Sequence, residues 1–456
     1  MSEQRVYRVT THTLGCKVNQ VDTSAIVRDF AEYGFVPTDE NADADVIVVN
    51  SCTVTAGADR DARKLIARAR EENAGALLVL TGCLSPGKTS GQDRADIVLG
   101  NDGKGRLVED VLTRLNLRDE LTRKTGHDGF FGGGVVDTSS RARAFVKVQD
   151  GCNRNCAYCV IPSVRGRSRS RAIREIVEDA KVVAARGYHE LVLTGVHLGS
   201  FGADFSPRAR LTDLLTALLN GTNIPRIRIS SIEPMEIRDD LIDLMASNPR
   251  ICPHLHVPLQ SGDDDVLRLM RRPYSRDHYR AKIEAIVASV PDVLIGSDVI
   301  VGFPGEDESA FENSMDLVER TPLHHLHVFP YSERPGTHAA TLTEKSQTAR
   351  IRARSERLRA LGRDKWRRFL GRHIGRTLPV LAIKPVGENT FEGLTANYLP
   401  VLVSGPCVSG RECLAHVRAV EDTSKGGRLI ADREVDPTIW NDGDISPYIP
   451  FGILRA

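Results

Sequence analysis

Apolar and polar positions along the first hundred residues follow a strand–helix–strand rhythm. Residues 6–12 read as a strand that runs into Leu14-Gly15-Cys16. Residues 24–33 place Ala25, Ile26, Phe30 and Ala31 on one side of a helix. Residues 45–50 are a continuous, mostly β-branched run, the pattern of a strand covered on both faces, and lead into Ser51-Cys52-Thr53. A basic helix is expected over residues 59–72. Residues 76–80 form a second covered strand ending at Thr81-Gly82-Cys83, and 97–100 form a fourth strand. The pattern predicts a parallel α/β domain over residues 5–118.

Residues 119–140 are weakly patterned, and Gly126, Gly129 and Gly132-Gly133-Gly134 mark them as a linker. From 141 to 348 the strand–helix alternation returns. Strands are expected at 144–148, 190–194, 226–230, 254–257, 293–301 and 325–329. Helices are expected at 173–186, 211–219, 238–246, 264–269, 276–289 and 308–320. Six such units predict a partial or full (β/α) barrel, whose chemistry belongs at the C-terminal rim of its strands. Residues 349–376 hold eleven Arg or Lys against Glu356 and Asp364, with Leu358, Leu361, Trp366, Phe369 and Leu370 at helical spacing. They read as one helix docked by its apolar face, with the arginines outward. Residues 377–435 carry short strands between turn signals and predict a small β-barrel; 436–456 read as a loose tail.

Composition narrows the class. The 456 residues are enough for two to four domains, and 41% apolar with 27% charged content is ordinary for a globular chain. No apolar run approaches the length of a membrane span, and the first residues have no apolar signal core, so a cytoplasmic protein with no membrane partner is expected. Nine cysteines, an odd number, argue for metal or redox use in a reducing compartment. The net charge of +1 excludes nothing by itself; the local block at 349–376 offers a phosphate-binding surface, with RNA as the natural partner.

The cysteines carry the chemistry. Cys152, Cys156 and Cys159 stand at C-x₃-C-x₂-C spacing in a loop softened by Gly151, Asn153 and Asn155, just after an apolar strand. A zinc site would normally add a second pair nearby, and none follows. Three thiolates on a 4Fe–4S cube leave one iron without a protein ligand. Cys16, Cys52 and Cys83 each lie just past the end of a separate predicted strand, at the edge where parallel α/β sheets gather ligands. Three thiols delivered to one place suit a second iron–sulfur cluster. Cys252, Cys407 and Cys413 are read as structural.

Other strand ends supply polar and glycine-rich turns: Gly195, Ser231, Glu233 and Gln260 read either as ordinary βα turns or as contacts to a cofactor. His254 reads as packed and His256 as facing the cavity, and no metal role is assigned to either. Arg165, Arg167, Arg169 and Arg171 alternate, which puts four guanidiniums along one side of an extended segment, either solvated or contacting phosphate. Arg350, Arg354 and Arg357 are the corresponding candidates on the basic helix.

The C-x₃-C-x₂-C loop resembles that of the radical S-adenosylmethionine superfamily, with Tyr158 where that family usually has an aromatic residue. The whole chain resembles the methylthiotransferases. Thr13-Leu14-Gly15-Cys16-Lys17-Val18-Asn19, Asn50-Ser51-Cys52-Thr53-Val54 and Thr81-Gly82-Cys83 look like that family's three N-terminal motifs. Residues 255–262 and Gly302-Phe303-Pro304-Gly305-Glu306 are similar to its barrel motifs, and Thr395-Ala396-Asn397-Tyr398 to part of its RNA-binding TRAM domain.

The resemblance implies two 4Fe–4S clusters and S-adenosylmethionine. Cys152, Cys156 and Cys159 would hold the cluster that cleaves S-adenosylmethionine to a 5′-deoxyadenosyl radical; Cys16, Cys52 and Cys83 would hold an auxiliary cluster able to carry sulfur. Leu14 to Asn19 look most like the branch that thiomethylates C2 of N6-threonylcarbamoyladenosine at position 37, in the tRNA anticodon loop. The partners implied are a reductant such as flavodoxin or ferredoxin and a sulfur donor. Alternatives are isopentenyladenosine-37, a ribosomal-protein aspartate, or a non-enzymatic iron–sulfur RNA-binding protein.

Overall fold

The computed structural model describes residues 5–84, 92–117, 131–133, 142–423 and 426–434. The tail at 436–456 and most of the expected linker at 119–140 lie outside them. The described piece of the linker is anchored: Phe131 packs on the N-terminal core, and Arg28 donates to the Gly133 carbonyl at 2.7 Å.

The N-terminal unit runs β1 (Arg8–Thr13), α1 (Lys17–Glu32), β2 (Val36–Pro37), β3 (Val46–Ser51), α2 (Ala56–Glu72), β4 (Leu77–Gly82), β5 (Ile97–Leu99) and α3 (Leu107–Arg114). Its five strands form one parallel sheet in the order β2-β1-β3-β4-β5. Every residue of β3 and β4 is buried, as their unbroken apolar runs require. Val46, Val48 and Val79 pack with Ile26 and Phe30 on one face, and Ile47, Val49, Leu78 and Leu80 with Ile66 and Ala69 on the other. The register pairs Thr13 with Asn50, Asn50 with Thr81 and Ser51 with Gly82, so three strands end level.

Helix α1 starts at Lys17, well before the expected residue 24, and Cys16 is its N-cap residue. The apolar pattern hides this first stretch because its inward-facing positions include the polar residues Asn19, Asp22 and Thr23, all buried. Helix α2 starts at Ala56, where the Thr55 hydroxyl accepts from the Ala58 amide at 3.2 Å.

The central unit comprises β6 (Arg143–Asp150), α4 (Ile161–Arg165), β7 (Arg169–Ser170), α5 (Ile173–Ala185), β8 (Glu190–Gly195), α6 (Leu211–Gly221), β9 (Arg226–Ile229), α7 (Asp239–Ser247), β10 (His254–His256), α8 (Asp264–Leu269), α9 (Arg276–Ser289), β11 (Leu294–Val301), α10 (Glu308–Arg320) and β12 (His325–Pro330). β6, β8 and β9 pair in parallel, as do β10, β11 and β12, and parallel bridges at Ile227–Ile251 and Ser231–His256 join the halves. The short β7 adds antiparallel to the β6 edge. Among the described strands β12 and β6 do not pair, so the barrel is the partial form. Helix α1 packs against β6 and β8, which brings the N-terminal cysteine edge to the barrel wall.

Helix α11 (Thr348–Gly371) is a single helix lying along β12, with Gly362 seated against Leu326. Its last turns insert Trp366, Phe369 and Leu370 into the core of a closed barrel made of β13 (Thr377–Gly387), β14 (Thr390–Thr395), β15 (Pro400–Ser404), β16 (Glu412–Glu421) and β17 (Arg428–Arg433). The segment Thr395 to Tyr398 faces the larger barrel. Tyr398 stacks on His254 at 4.6 Å, with the Arg228 guanidinium 4.8 Å from its ring, and Asn397 donates to the Asp292 carbonyl at 3.0 Å. These residues dock one domain on the other. No described helix is long and apolar enough to cross a membrane.

Candidate metal centres

Cys16, Cys52 and Cys83 converge at the level end of the first sheet. Gly15 (φ +98°) makes this possible: a Cβ there would sit 2.6 Å from the Cys52 Cβ and 2.8 Å from its sulfur. Gly82 (φ +105°) does the same on the other side, where a Cβ would sit 2.4 Å from the Ser51 carbonyl. Asn19 ties two of the loops together, its amide nitrogen donating to the carbonyls of Leu14 and Ser51, both at 2.8 Å. Cys16 is exposed, while Cys52 and Cys83 are buried. Burial pushes the Cys52 thiol up to about 11, and the neighbouring Cys83 and Cys16 add to the rise.

Cys152, Cys156 and Cys159 line the loop after β6. The loop is held by its backbone: the Cys152 amide donates to Gly166 at 3.0 Å and the Ala157 amide to Met270 at 3.0 Å, while Ala157 accepts from Ala339 at 2.7 Å. Ala157 itself is buried among Val266, Met270, Phe303 and Ala339. Burial pushes the Cys159 thiol up to about 12, and Cys156 and Cys152 contribute.

The donor sets fit clusters better than single ions. Three sulfurs on one zinc, each about 2.3 Å from it, would lie within roughly 4 Å of one another. Among the described residues neither triad has all its sulfurs within 4.8 Å of one another. A thiol whose pKa is raised by burial becomes a thiolate only against a strong local cation, which a metal core supplies.

Cationic donors sit at the sulfurs. Arg272 approaches Cys156 Sγ at 3.2 Å and also pairs with Glu233. His197 lies 2.7 Å from Glu236. Burial disfavours its charge, but the neighbouring Cys152 and Glu236 outweigh this and raise it to about 9. Arg165 donates to Cys83 Sγ at 3.2 Å. None of these three roles was legible in the sequence, because each partner lies far away along the chain.

The remaining candidates lie in the cysteine loop and at the ends of barrel strands. Tyr158 packs edge-on to Phe303, with ring centroids 6.5 Å apart. Gly195 ends β8 beside Gln149, and the exposed Ser231 follows β9. Gln260 is buried, and its backbone pairs with Asp298 and Ile300 at 2.8 and 2.9 Å. His256 is not without metal-binding company: its Nε2 lies 2.9 Å from Asp298, and His327 joins them on the next strand.

Two of the five candidate phosphate-binding arginines are corrected. Arg165 is only 5% exposed and is spent on Asp150, Asp22, Asn19 and Cys83. Alternation fails as a guide here because Arg165 ends a short helix and Gly166, at φ +74°, breaks the chain before the two-residue strand β7; Arg171 is likewise buried, against Glu175 and Asp179. Arg354 is 2% exposed and is clamped by Glu306 at 3.0 Å and Glu308 at 2.8 Å. Arg167 and Arg350 are exposed, and Arg357 is half-exposed beside Glu308 and Glu312.

Comparison with known proteins identifies the family. Residues 146–318 match the radical SAM superfamily, and residues 8–100 match an uncharacterized protein family, UPF0004. The threonylcarbamoyladenosine tRNA methylthiotransferase MtaB of Aquifex aeolicus (strain VF5) is 36% identical over 407 residues, 87% of this chain and 97% of the relative. The protein of the same name from Bacillus subtilis (strain 168) is 35% identical over 87% of this chain and 90% of its own length. A tRNA-2-methylthio-N(6)-dimethylallyladenosine synthase of Streptomyces avermitilis is 31% identical over 86% and 78%. Among solved structures, the radical S-adenosylmethionine methyltransferase TsrM of Kitasatospora setae superposes with a TM-score of 0.53, covering 74% of this chain and 77% of that one at 14% identity, a likeness of fold alone. A chain with both family regions and relatives this similar over nearly their whole length belongs to the threonylcarbamoyladenosine tRNA methylthiotransferases of the radical S-adenosylmethionine superfamily.

Proposed function

We infer that this protein adds a methylthio group to C2 of N6-threonylcarbamoyladenosine at position 37 of tRNA. The observation that carries the reading is the pair of cysteine triads, one at a sheet edge and one at a barrel rim, in a chain of this family. Cys152, Cys156 and Cys159 would hold one 4Fe–4S cluster, and Cys16, Cys52 and Cys83 the other. When bound, the two clusters with S-adenosylmethionine supply radical cleavage of the sulfonium and a sulfur-carrying iron.

The chain's own residues bind, orient and shield. The buried loop around Ala157 holds the second triad rigid against α8 and Phe303. Tyr158, Gly195, Ser231, Glu233 and Gln260 would contact S-adenosylmethionine. Arg272 pairs with Glu233 and orients it. His256, Asp298 and His327 give the barrel wall a polar strip against which a base taken out of its stack can be held. Exposed Arg167, Arg350 and Arg357 are the surface cations left to meet the phosphates of the anticodon loop. A low-potential reductant such as flavodoxin or ferredoxin and a sulfur donor are required partners, and work on tRNA fits a cytoplasmic enzyme.

The test is mass spectrometry of tRNA nucleosides from cells with and without the gene. Loss of the methylthio mass from threonylcarbamoyladenosine is expected. Loss from isopentenyladenosine instead, or no loss from either, would overturn the substrate assignment.

A further inference from the structure

A buried ionic network joins the two cysteine regions. Asp22 of α1 pairs with Lys104 at 2.6 Å, with Lys147 at 2.5 Å and with Arg165 at 3.2 Å. Asp150 pairs with Lys147 and Arg165, each at 2.9 Å. Four of these side chains are 1% exposed and Asp150 is 11% exposed. Asp22 and Lys104 come from the N-terminal unit; Lys147, Asp150 and Arg165 come from the barrel. Among the described residues three cations and two carboxylates meet in this buried site.

Buried charge is costly unless it is balanced nearby. One member of the network also reaches a candidate ligand: the Arg165 Nε donates to Cys83 Sγ, 3.2 Å away. The guanidinium also reaches the side chain of Asn19, whose own amide holds the loops before Cys16 and Cys52. A cube with two positive charges on its core and three thiolate ligands carries one net negative charge. Arg165 sets a positive charge directly beside it.

We propose that Arg165, supplied by the barrel, is the positioning residue that sets the reduction potential of the cluster held by Cys16, Cys52 and Cys83. Its fixed positive charge and its hydrogen bond to a ligand sulfur both favour the reduced, more negative state, and so raise the potential. Because α4 follows Cys159 directly and Asp150 lies two residues before Cys152, the same network ties this tuning to correct docking of the two domains.

The inference rests on the reading of the N-terminal triad as cluster ligands. It is tested in the full-length protein carrying Cys152→Ala, Cys156→Ala and Cys159→Ala, so that one cluster remains. Iron content and an electron paramagnetic resonance redox titration are recorded together. Arg165→Met is expected to move the midpoint to more negative potential with iron retained, and Arg165→Lys to move it less. Asp22→Asn, which removes a buried negative charge, is expected to move it the opposite way. Opposite shifts from the two charge changes are a signature that loosened structure alone does not produce. An unmoved midpoint in iron-loaded Arg165→Met overturns the proposal. If that variant fails to load iron, an unmoved or negative shift in Asp22→Asn overturns it. A parent protein without any cluster signal would instead count against the ligand assignment itself.

Discussion

At the scale of single residues, the chemistry turns on thiols that are reluctant to ionise. The Cys159 thiol, pushed up to about 12 by burial, is protonated across the physiological range in the metal-free protein. The prediction is direct. In chelator-treated protein, alkylation of Cys159 by iodoacetamide, followed by peptide mass spectrometry, should rise about tenfold per pH unit from pH 8 to 10 without a plateau. A plateau near pH 9, the behaviour of an ordinary thiol, would show that the site is open to water. The six ligand candidates were legible because two signals coincide, cysteine spacing in one triad and strand-end position in the other. Arg165, Arg272 and His197 were not legible. Their partners Cys83, Glu233 and Glu236 are contributed by other loops, and no local pattern records that.

Secondary-structure elements were legible wherever burial is apolar. β3 and β4 are fully covered strands, and the helices outside the central barrel follow its predicted alternation. The misreadings fall where polar residues are buried. Helix α1 carries Asn19, Asp22 and Thr23 inward, so its first turns do not look amphipathic. Helix α11 shows the same effect from the other side. Its charge block was read as an outward face, yet Arg354 is an interior ion-pair partner of Glu306. This separates two variants. Charge reversal at Arg350 and Arg357 should weaken tRNA binding and reduce the log–log salt slope by about two units, one for each phosphate no longer neutralised. Arg354→Met should leave that slope alone and destabilise the fold by roughly 3–5 kcal/mol, because it strands a buried carboxylate. Filter binding over a salt series and urea denaturation read the two effects. A salt slope that changes only in Arg354→Met would reverse the assignment.

At the scale of the whole molecule, the cysteine edge of the first sheet meets the central barrel through α1 and Arg165. The first sheet ends its strands level and packs α1 against the central barrel, and the closed β-barrel contacts that barrel through Tyr398. The sequence order of domains was readable; their docking was not, because it depends on Arg165, Lys147 and Tyr398 reaching across boundaries that no periodicity marks.

The central claim is that the two triads serve different steps. Each lies in its own loop set and can fill three positions of a cube without borrowing from the other. The direct measurement is anaerobic reconstitution of Cys16→Ala, Cys52→Ala, Cys83→Ala combined, with iron content, 5′-deoxyadenosine and modified nucleoside measured side by side. The account predicts loss of about half the iron, continued cleavage of S-adenosylmethionine, and no methylthiolated tRNA. Full iron content, or methylthiolated product sustained over many turnovers, would contradict it.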